Sequence, residues 1–405
     1  MLRGNMGRNA AIAILLAIAA PVLLPVAAAY AQTVAVEPNG PMVPRDMQPL
    51  PVHVGGRVAI AKAARGAQLH AHQWPGTYFE AAFTGDHLAL SFDDKGNGYQ
   101  LLIDNAPPIA IAPPGRSLLR VTGLSPGVHR VRLEKLTEND GVRGIFGGFY
   151  VARDAQPLAV APRSRQIEFI GDSSMTGFGL RSGKAQCSLR ESQESTDTQG
   201  AYPALVARHY DADYQINAIS ARGLVRNYAG MVPGREIPKV YPFTFFDMTT
   251  PYVDAGWRPE LIVLKLNADF VGAIGPGEKW KDFGEVAADY GPAYGAFIAE
   301  LHRRSPSAAF LIWWFDTARM GDPNARRIFE TAEQAIRDAA RQAGVQHLDF
   351  ITASDLAIEG RACGHYTPSD QRKLADWLIA YLDRHPTIWP AEKAKARQAE
   401  ARQVE

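Results

Sequence analysis

The sequence has almost no net charge. It carries 43 lysine and arginine residues against 42 aspartate and glutamate residues in 405 positions, a formal charge of +1 at pH 7. Proteins that bind nucleic acids or anionic membrane surfaces use a basic excess, so this balance argues against both kinds of partner. The chain also lacks a cysteine–histidine cluster with zinc spacing and a glycine-rich phosphate loop. We therefore expect no metal, no organic cofactor and no nucleic acid partner.

Long apolar runs are absent beyond the N-terminus. There, Arg3 and Arg8 precede the run AAIAILLAIAAPVLLPVAAA, which closes on Ala29-Tyr30-Ala31. A basic start, an apolar stretch and small residues at the end are typical of a secretory signal peptide, predicted at residues 1–31. The alternative is an uncleaved anchor helix, because the run approaches the roughly 20 residues that span a bilayer. Two prolines in the run favour the signal peptide. We expect an exported protein, periplasmic or secreted, with no membrane segment after cleavage.

Cysteine is nearly absent, with Cys187 and Cys363 as the two examples. Oxidising compartments allow disulfides to persist, so export would permit these residues to pair. Two separate thiols are the alternative, because the sequence does not give the distance between their Cα atoms.

The pattern of apolar runs and turn residues in the remaining chain predicts two domains. Residues 32–51 are rich in proline and are expected to form a linker. Residues 52–155 hold short alternating runs such as HLALSFDD, separated by turn residues, which predicts a β-sandwich or jelly roll. Residues 163–386 alternate compact apolar runs such as ELIVLKLN with amphipathic helices, which predicts a doubly wound, flavodoxin-like three-layer α/β fold around a parallel sheet. Residues 387–405 form a polar tail.

A short motif follows the first of these buried runs. Residues 167–179 read IEFIGDSSMTGFG, so an apolar strand ends in Gly171-Asp172-Ser173. A serine in the first turn after a buried strand exposes its hydroxyl, and its own N–H faces the same space. Both features suit a nucleophile. The tripeptide alone also occurs by chance, so the surrounding residues decide its meaning.

Those residues resemble a known family. The string IEFIGDSSMTGFG resembles the nucleophile block of the SGNH (GDSL-type) hydrolases, and its Thr-Gly-Phe-Gly extension resembles carbohydrate esterase family two in particular. DADYQINAISARGLVRNY, PELIVLKLNADF and CGHYTPSDQRKLADWL are similar to the later blocks, in the same order. The resemblance covers most of residues 52–386. It implies a β jelly roll followed by an SGNH domain, the two parts already expected from texture.

The resemblance assigns Ser173 as the nucleophile and His365 as its general base and acid. The family histidine usually stands directly before Pro-Ser or Pro-Asn, whereas Thr367 holds that place here. The family acid, a few residues before the histidine, is also missing. A backbone carbonyl that orients the imidazole would give a Ser-His dyad, and Asp316 or Asp355 are the alternatives.

The oxyanion donors implied by the resemblance are the N–H groups of Ser173 and Gly223 and a side-chain amide from the third block. That block reads Gly-Thr-Asn-Asp-Phe in the family, whereas residues 266–270 read LNADF here. Either Asn267 supplies the amide, or the donor position has become Ala268 and is lost. We favour Asn267.

Two adjacent aromatic residues suggest a sugar-binding surface. Trp313 and Trp314 end a predicted strand on the same edge as the serine, and ring faces can stack on sugars. Because neighbouring residues on a strand point in opposite directions, we expect at least one of them in the core.

The sequence thus predicts an exported carbohydrate O-acetyl esterase that acts through a Ser-His acyl-enzyme on plant-type polysaccharides similar to xylan or glucomannan. An acetyltransferase using the same acyl-enzyme is one alternative. A carbohydrate-binding protein with a decayed site is the other, motivated by the altered third and histidine blocks.

Overall fold

The computed structural model describes residues 32–389. The predicted signal peptide and most of the predicted tail lie outside these residues. Within them, no helix is both long and apolar enough to cross a membrane.

The N-terminal part is a sandwich of two antiparallel sheets. Their strands are β1 (Thr33–Pro38), β2 (Met47–Pro49), β3 (His53–Gly55), β4 (Val58–Lys62), β5 (Gln68–His72), β6 (Tyr78–Thr84), β7 (Leu88–Asp94), β8 (Tyr99–Ile103), β9 (Ile109–Ile111), β10 (Gly115–Thr122), β11 (Val128–Lys135), β12 (Gly144–Ala152) and β13 (Gln156–Leu158). One sheet has the order β1-β10-β7-β12-β5-β4, with β2 also paired to β12. The other has the order β13-β6-β11-β8-β9, with β3 also paired to β6.

Alternating apolar residues form the core of this sandwich. Val131 and Leu133 of β11 face Phe92 and Phe146 of the opposite sheet, and all four are buried. Burial of one face per strand is what holds two antiparallel sheets together. The predicted β domain is therefore present.

The predicted linker at 32–51 is wrong. Thr33–Pro38 forms the edge strand β1, antiparallel to β10, and Met47–Pro49 pairs with β12. The prolines that suggested a linker are compatible with this position because an edge strand tolerates a missing N–H. The sandwich thus spans residues 33–158 instead of 52–155.

The C-terminal part is a three-layer α/β fold. Its five parallel strands are β14 (Arg165–Gly171), β15 (Ala212–Ala218), β16 (Leu261–Lys265), β17 (Ala309–Trp313) and β18 (Leu348–Ile351). They follow the order β15-β14-β16-β17-β18, the flavodoxin-like arrangement that was predicted. The helices are α1 (Ser173–Thr176), α2 (Leu189–Glu194), α3 (Tyr202–His209), α4 (Ile237–Val240), α5 (Phe283–Arg304), α6 (Pro323–Gln342) and α7 (Pro368–Arg384).

Helices cover both faces of this sheet. Helices α3 and α7 contribute to one apolar core, and α5 and α6 contribute to the other. Ile388 and Trp389 are buried in the first core, and the Trp389 ring lies 5.2 Å from that of Tyr210. The polar tail therefore does not begin at residue 387, because the domain continues to at least 389.

The two parts are joined by buried contacts. Trp74 of the sandwich packs in one core of the α/β part and Tyr78 in the other. Arg57 is 1% exposed and pairs with Glu168 of β14 at 3.3 Å. The Tyr78 hydroxyl donates to the carboxylate of Asp213 at 2.6 Å. This interface fixes the sandwich against the edge strand β15 and its neighbour β14.

Candidate active site

Ser173 lies at the end of the central strand β14. Gly171 closes the strand, and a Cβ there would meet Met175 Sδ at 2.6 Å and the Lys265 carbonyl at 2.7 Å, so only glycine fits. The Asp172 carboxylate then caps α1 by accepting the N–H of Ser174 at 2.9 Å. Ser173 is the first residue of that helix and is half-buried.

His365 lies beside this serine. Its Nε2 is 3.0 Å from Ser173 Oγ, and its Nδ1 is 3.0 Å from the Cys363 carbonyl oxygen. A carbonyl can only accept, so Nδ1 carries the proton and Nε2 is left as the acceptor for the serine hydroxyl. The structure therefore brings the two predicted residues together in the tautomer that a general base needs.

Neither candidate carboxylate reaches the histidine. Asp316 caps a short 3₁₀ helix by accepting the Arg319 N–H at 3.3 Å, and it also pairs with the Arg319 side chain at 3.4 Å. Asp355 is exposed in a loop. Of the alternatives left open by the sequence, the backbone carbonyl is the one that contacts the imidazole.

The loop that carries His365 is tethered to the segment before α2. Cys363 and Cys187 form a disulfide. The Cys363 N–H donates to the Lys184 carbonyl at 2.7 Å, and the Gly364 N–H donates to the Ala185 carbonyl at 2.8 Å. These bonds hold the carbonyl that orients the imidazole.

A cavity of about 570 Å³ opens over the serine and histidine. The sandwich loop after β11, the turn after β15 and the loop that carries His365 all contribute to its wall. Its rim exposes apolar side chains, namely Leu189, Tyr228, Met231, Val232 and Val271. The wall also holds charge: the buried Glu138 and the exposed Asp140 contribute carboxylates from the sandwich, and Arg222 pairs with Asp140 at 2.9 Å. Such a site suits a ligand with both apolar faces and polar groups.

The oxyanion donors differ in part from the prediction. Gly223 N–H donates to Asn227 Oδ1 at 3.1 Å and is buried, so the prediction that it faces the substrate is wrong. Ala221, two residues earlier, lines the cavity instead, in a left-handed conformation with φ +63°. Among residues 32–389, no acceptor is bonded to the N–H of Ala221 or to that of Ser173. These two groups are the donors that the geometry offers.

The third block brings Ala268 to the cavity instead of Asn267. A 3₁₀ turn begins at Ala268, which directs the Asp269 carboxylate inward to accept the N–H groups of Leu224, Val225 and Arg226 at 2.7–2.8 Å. Burial raises the pKa of Asp269 to about 6. The Oδ1 atom of Asn267 is buried with no partner among the described residues. The favoured assignment of Asn267 is therefore not supported, and a methyl group stands where an amide was expected.

The predicted sugar-stacking tryptophans are both in the core. Trp313 is 6% exposed and packs on Tyr202, whereas Trp314 is 5% exposed and packs on the opposite face of the sheet against Tyr290. Strand alternation places them in the two different cores because helices cover both faces. The prediction of a substrate contact by either one is wrong. The aromatic residues on the cavity are Phe178 and Tyr228.

Sequence reasoning missed Ala221, Glu138 and Asp140. No sequence pattern indicates a positive φ at a non-glycine residue such as Ala221. The prediction for Gly223 nevertheless identified the turn in which Ala221 lies. The two carboxylates come from another domain, and no pattern in the chain relates residue 138 to residue 173.

One cluster has metal-like geometry. The ligand atoms of His53, Glu80 and Asp213 lie within 4.8 Å of one another at the domain interface. Arg163 donates to both carboxylates at 2.8–3.0 Å, and His53 donates to Asp213 at 2.8 Å. The negative charge is already neutralised by arginine, so the donor set fits an ion-pair network better than a cation.

The comparisons with known proteins agree with this architecture. Residues 54–162 match the carbohydrate esterase 2 N-terminal family. An acetylxylan esterase / glucomannan deacetylase of Cellvibrio japonicus is 39% identical over 347 residues, which are 84% of this chain and 93% of that protein.

Solved structures extend the comparison. A carbohydrate esterase whose active site displays divergent catalytic and non-catalytic binding functions is 36% identical, with a TM-score of 0.76 over 84% of this chain and 100% of its own. A family two carbohydrate esterase of Clostridium thermocellum, solved with cellohexaose, is 22% identical, with a TM-score of 0.66 over 84% of this chain and 100% of its own. At that identity the second likeness shows the fold alone. The resemblance seen in the sequence is thus confirmed: the chain belongs to carbohydrate esterase family 2 and is an esterase.

Proposed function

We propose that this esterase removes O-acetyl groups from an acetylated polysaccharide or oligosaccharide through an acyl-enzyme formed on Ser173. The observation that carries this proposal is the 3.0 Å contact between Ser173 Oγ and His365 Nε2 at the end of the central strand. A serine hydroxyl is a weak nucleophile until a neighbouring base takes its proton, and this contact supplies the base.

The reaction then follows from the positions of these groups. Ser173 Oγ attacks the acetyl carbonyl while His365 Nε2 takes its proton, and the N–H groups of Ser173 and Ala221 stabilise the oxyanion. The Cys363 carbonyl accepts from Nδ1 throughout and stabilises the imidazolium that forms. His365 returns the proton to the departing sugar oxygen. Water, activated by the same histidine, then releases acetate from the serine.

A carbohydrate of the xylan or glucomannan class suits the cavity. Its rim presents exposed apolar side chains beside the ring of Tyr228, which is 43% exposed. Sugar rings have apolar faces and polar edges, so they can pack on this rim while their hydroxyls reach the charged side chains of the wall. The curated relative from Cellvibrio japonicus is named for the same two polysaccharides.

Export is the second part of the proposal. The basic start, the apolar run and the Ala-Tyr-Ala ending at 29–31 support a cleaved signal peptide. The disulfide between Cys187 and Cys363 also supports an oxidising compartment, because cytosolic thiols are kept reduced. Expression of the full chain in a bacterium, followed by fractionation and N-terminal sequencing, tests this. A mature protein that starts at Gln32 outside the cytosol is expected, and an intact N-terminus in the cytosol would contradict it.

The enzymatic part is tested by acetate release from 4-nitrophenyl acetate, acetylated xylan, acetylated glucomannan and acetylated monosaccharides. We expect Ser173→Ala and His365→Ala each to lower kcat by about a thousandfold or more. Ser174→Ala is the matched control. Ser174 Oγ accepts a hydrogen bond from Lys265 Nζ at 3.0 Å, whereas His365 contacts Ser173. This variant should retain most of the activity.

Three outcomes would redirect the proposal. Activity that survives in Ser173→Ala would contradict the nucleophile. Acetyl transfer to an added sugar that outcompetes hydrolysis would indicate a transferase. Binding of the polysaccharides with no acetate release by a folded wild-type protein would indicate a binding module.

A further inference from the structure

Glu138 is a residue of the sandwich that reaches into the active site. It lies in the loop between β11 and β12, is 4% exposed, and lines the same cavity as Ser173 and His365. Both of its carboxylate oxygens are bonded to one residue of the other domain. Oε1 accepts the Ser220 N–H at 2.6 Å, and Oε2 lies 2.6 Å from Ser220 Oγ.

The residue that follows Ser220 is the one that needs support. Ala221 adopts φ +63°, a region that is unfavourable for a residue with a Cβ and persists only where the surroundings fix it. Its carbonyl accepts the Tyr228 N–H at 2.9 Å, which holds the downstream side of the turn. Glu138 holds the upstream side. The N–H of Ala221 lies between these two anchors, so its direction depends on both.

The same contact extends to the nucleophile. Ser220 Oγ lies 3.2 Å from Thr176 Oγ1, and Thr176 Oγ1 donates to the Ser173 carbonyl at 3.3 Å. A chain of hydroxyl groups therefore links Glu138 to the helical turn that carries Ser173. Both oxyanion donors, on different elements, are held from one buried carboxyl group.

The charges around Glu138 decide its protonation. Asp140 on the same loop faces it and carries like charge, and Arg222 after the turn pairs with Asp140. Lys135 on β11 also lies close, and Arg235 faces Asp140. Burial, and then the charge of Asp140, raise the pKa of Glu138 to about 7 against the hydrogen bonds from Ser220 and Thr176.

Both protonation states can keep the two bonds. An ionised Glu138 accepts from the Ser220 N–H and from its hydroxyl. A neutral Glu138 donates from Oε2 to Ser220 Oγ, which can then donate to Thr176. The ionised form, however, places a negative charge in the cavity where the oxyanion develops, which disfavours the transition state. The neutral form is therefore the one that supports turnover.

We propose that Glu138 is a positioning residue of the esterase: the sandwich uses it to hold the Ser220–Ala221 turn so that the Ala221 N–H faces the oxyanion. This inference rests on the proposed acyl-enzyme reaction. It assigns to the sandwich domain a part in positioning the oxyanion donor that neither the family match nor the nucleophile motif indicates.

The test compares Glu138→Ala and Glu138→Gln with the wild type in the full mature chain. Active sites are counted with an organophosphate that labels activated serine, and kcat and KM for 4-nitrophenyl acetate are measured from about pH 5 to about pH 9. We expect Glu138→Ala to lower kcat by about tenfold to a hundredfold while KM changes by less than about threefold. Glutamine can accept the Ser220 N–H and donate to Ser220 Oγ, so Glu138→Gln should restore most of kcat.

The pH profile reports the charge of Glu138 near the oxyanion, which a residue that only stabilises the domain interface would not affect. The kcat of the wild type should decline above about pH 7 as Glu138 ionises, and this decline should be absent in Glu138→Gln. Glu80→Gln is the matched control. Glu80 is also a buried sandwich carboxylate paired across the domain interface, with Arg163 at 2.8 Å, but it does not line the active-site cavity. It should lower thermal stability and leave kcat and its pH profile unchanged.

Several outcomes would overturn the inference. A wild-type kcat in Glu138→Ala would do so, as would a loss in Glu138→Gln equal to that in Glu138→Ala. If Glu138→Ala does not fold, Glu138→Gln decides, and a kcat about tenfold or more below that of the wild type at pH 6 contradicts the proposal, because glutamine can make both bonds to Ser220. A wild-type protein that releases no acetate at all would instead count against the proposed function, which keeps the two failures distinct.

Discussion

At the scale of the single residue, the orientation of His365 depends on a main-chain carbonyl. The Cys363 oxygen fixes the tautomer and the ring plane through one bond of 3.0 Å. A carbonyl offers a dipole where a carboxylate would offer a full negative charge, so it stabilises the imidazolium less. The position in which the loop holds His365 therefore matters more for catalysis than the charge of the group that orients its imidazole.

Ala268 leaves room for an added oxyanion donor. This residue lines the cavity at the position where the sequence resemblance implies an asparagine, and it provides only a methyl group. A donor in an oxyanion hole is worth roughly a hundredfold in kcat, and an imperfectly placed one less. We expect Ala268→Asn to raise kcat for 4-nitrophenyl acetate by about threefold to thirtyfold.

The control for this change is Ala268→Leu. Leucine is similar in size to asparagine but has no hydrogen-bond donor. The leucine variant should leave kcat unchanged or lower it. Equal values of kcat in the asparagine and leucine variants would show that Ala268 does not face the oxyanion.

Tyr228 is the exposed aromatic residue on the cavity rim. Removal of its ring should weaken the binding of a polysaccharide and leave a small aryl ester unaffected. We expect Tyr228→Ala to raise KM for acetylated glucomannan or xylan by about fivefold to thirtyfold, the value of one lost apolar ring contact of about 1–2 kcal/mol. The KM for 4-nitrophenyl acetate should stay within about twofold of the wild-type value.

Tyr228→Phe serves as the matched variant because it keeps the ring and removes only the hydroxyl. It should bind polysaccharide nearly as well as the wild type. An equal loss of affinity in both variants would indicate hydrogen bonding by the hydroxyl instead of stacking.

Ser173 and His365, which both have a recognisable local sequence pattern, lie next to each other in the structure. Ser173 is fixed by a strand, a glycine and a helix start, all of which are visible in the sequence, and His365 by a loop before an amphipathic helix. Gly223 and the two tryptophans were misplaced for a different reason. Which N–H of a turn is free, and which side of a strand is covered by a helix, depend on long-range packing that no local pattern records.

At the scale of the element, the loop with Cys363 and His365 has little secondary structure of its own. Its position depends on the disulfide and on the two main-chain bonds to residues 184 and 185. The disulfide closes a loop of 176 residues, so its loss should cost about 2–5 kcal/mol of unfolding free energy.

We expect Cys187→Ser to lower both the Tm and kcat, the latter by about tenfold, because a 1 Å shift of the imidazole already weakens proton transfer. Treatment with a reductant should lower the kcat of the wild-type enzyme to that of Cys187→Ser. The same treatment should leave the kcat of the variant unchanged. Full activity of the reduced wild type would show that the main-chain bonds alone hold the histidine.

Strands and helices were predicted well wherever their burial is one-sided or complete. The parallel strands are continuous apolar runs, and the alternating runs of the sandwich expose one face. The edge strand β1 was taken for a linker because its prolines are a strong local signal, whereas its pairing with β10 is a contact across 80 or so residues that the sequence does not reveal.

At the scale of the whole molecule, the two domains share buried charge. Arg57 donates to Gln215, to Glu168 and to the Tyr241 carbonyl, and its guanidinium lies 4.1 Å from the centre of the Tyr241 ring. Removing one partner of a buried ion pair leaves the other uncompensated.

We therefore expect Arg57→Met to lower the unfolding free energy by about 3–5 kcal/mol. Calorimetry should show one transition for the wild type and two for the variant, because the shared interface makes the domains unfold together. Arg120→Met is the surface control, with ion pairs of 3.7 Å on a partly exposed side chain, and should cost about 1 kcal/mol or less. Two separate transitions in the wild type would contradict the view of one cooperative unit.

Domain organisation was predictable from the change in texture near residue 160, but the contact between the domains was not. Arg57, Tyr78 and Glu138 look like ordinary strand and loop residues of the sandwich. Their partners lie 82 to 184 residues away, and the sequence gives no sign that these side chains complete the second domain.

The most direct measurement of the central claim is rapid-quench mass spectrometry of the wild-type enzyme with 4-nitrophenyl acetate. The account predicts an intermediate that carries one acetyl group, located by fragmentation on the peptide that contains Ser173. The intermediate should form before steady-state turnover and be absent from Ser173→Ala. Acetate release without any acetylated enzyme, or an acetyl group on another residue, would contradict the Ser173–His365 mechanism.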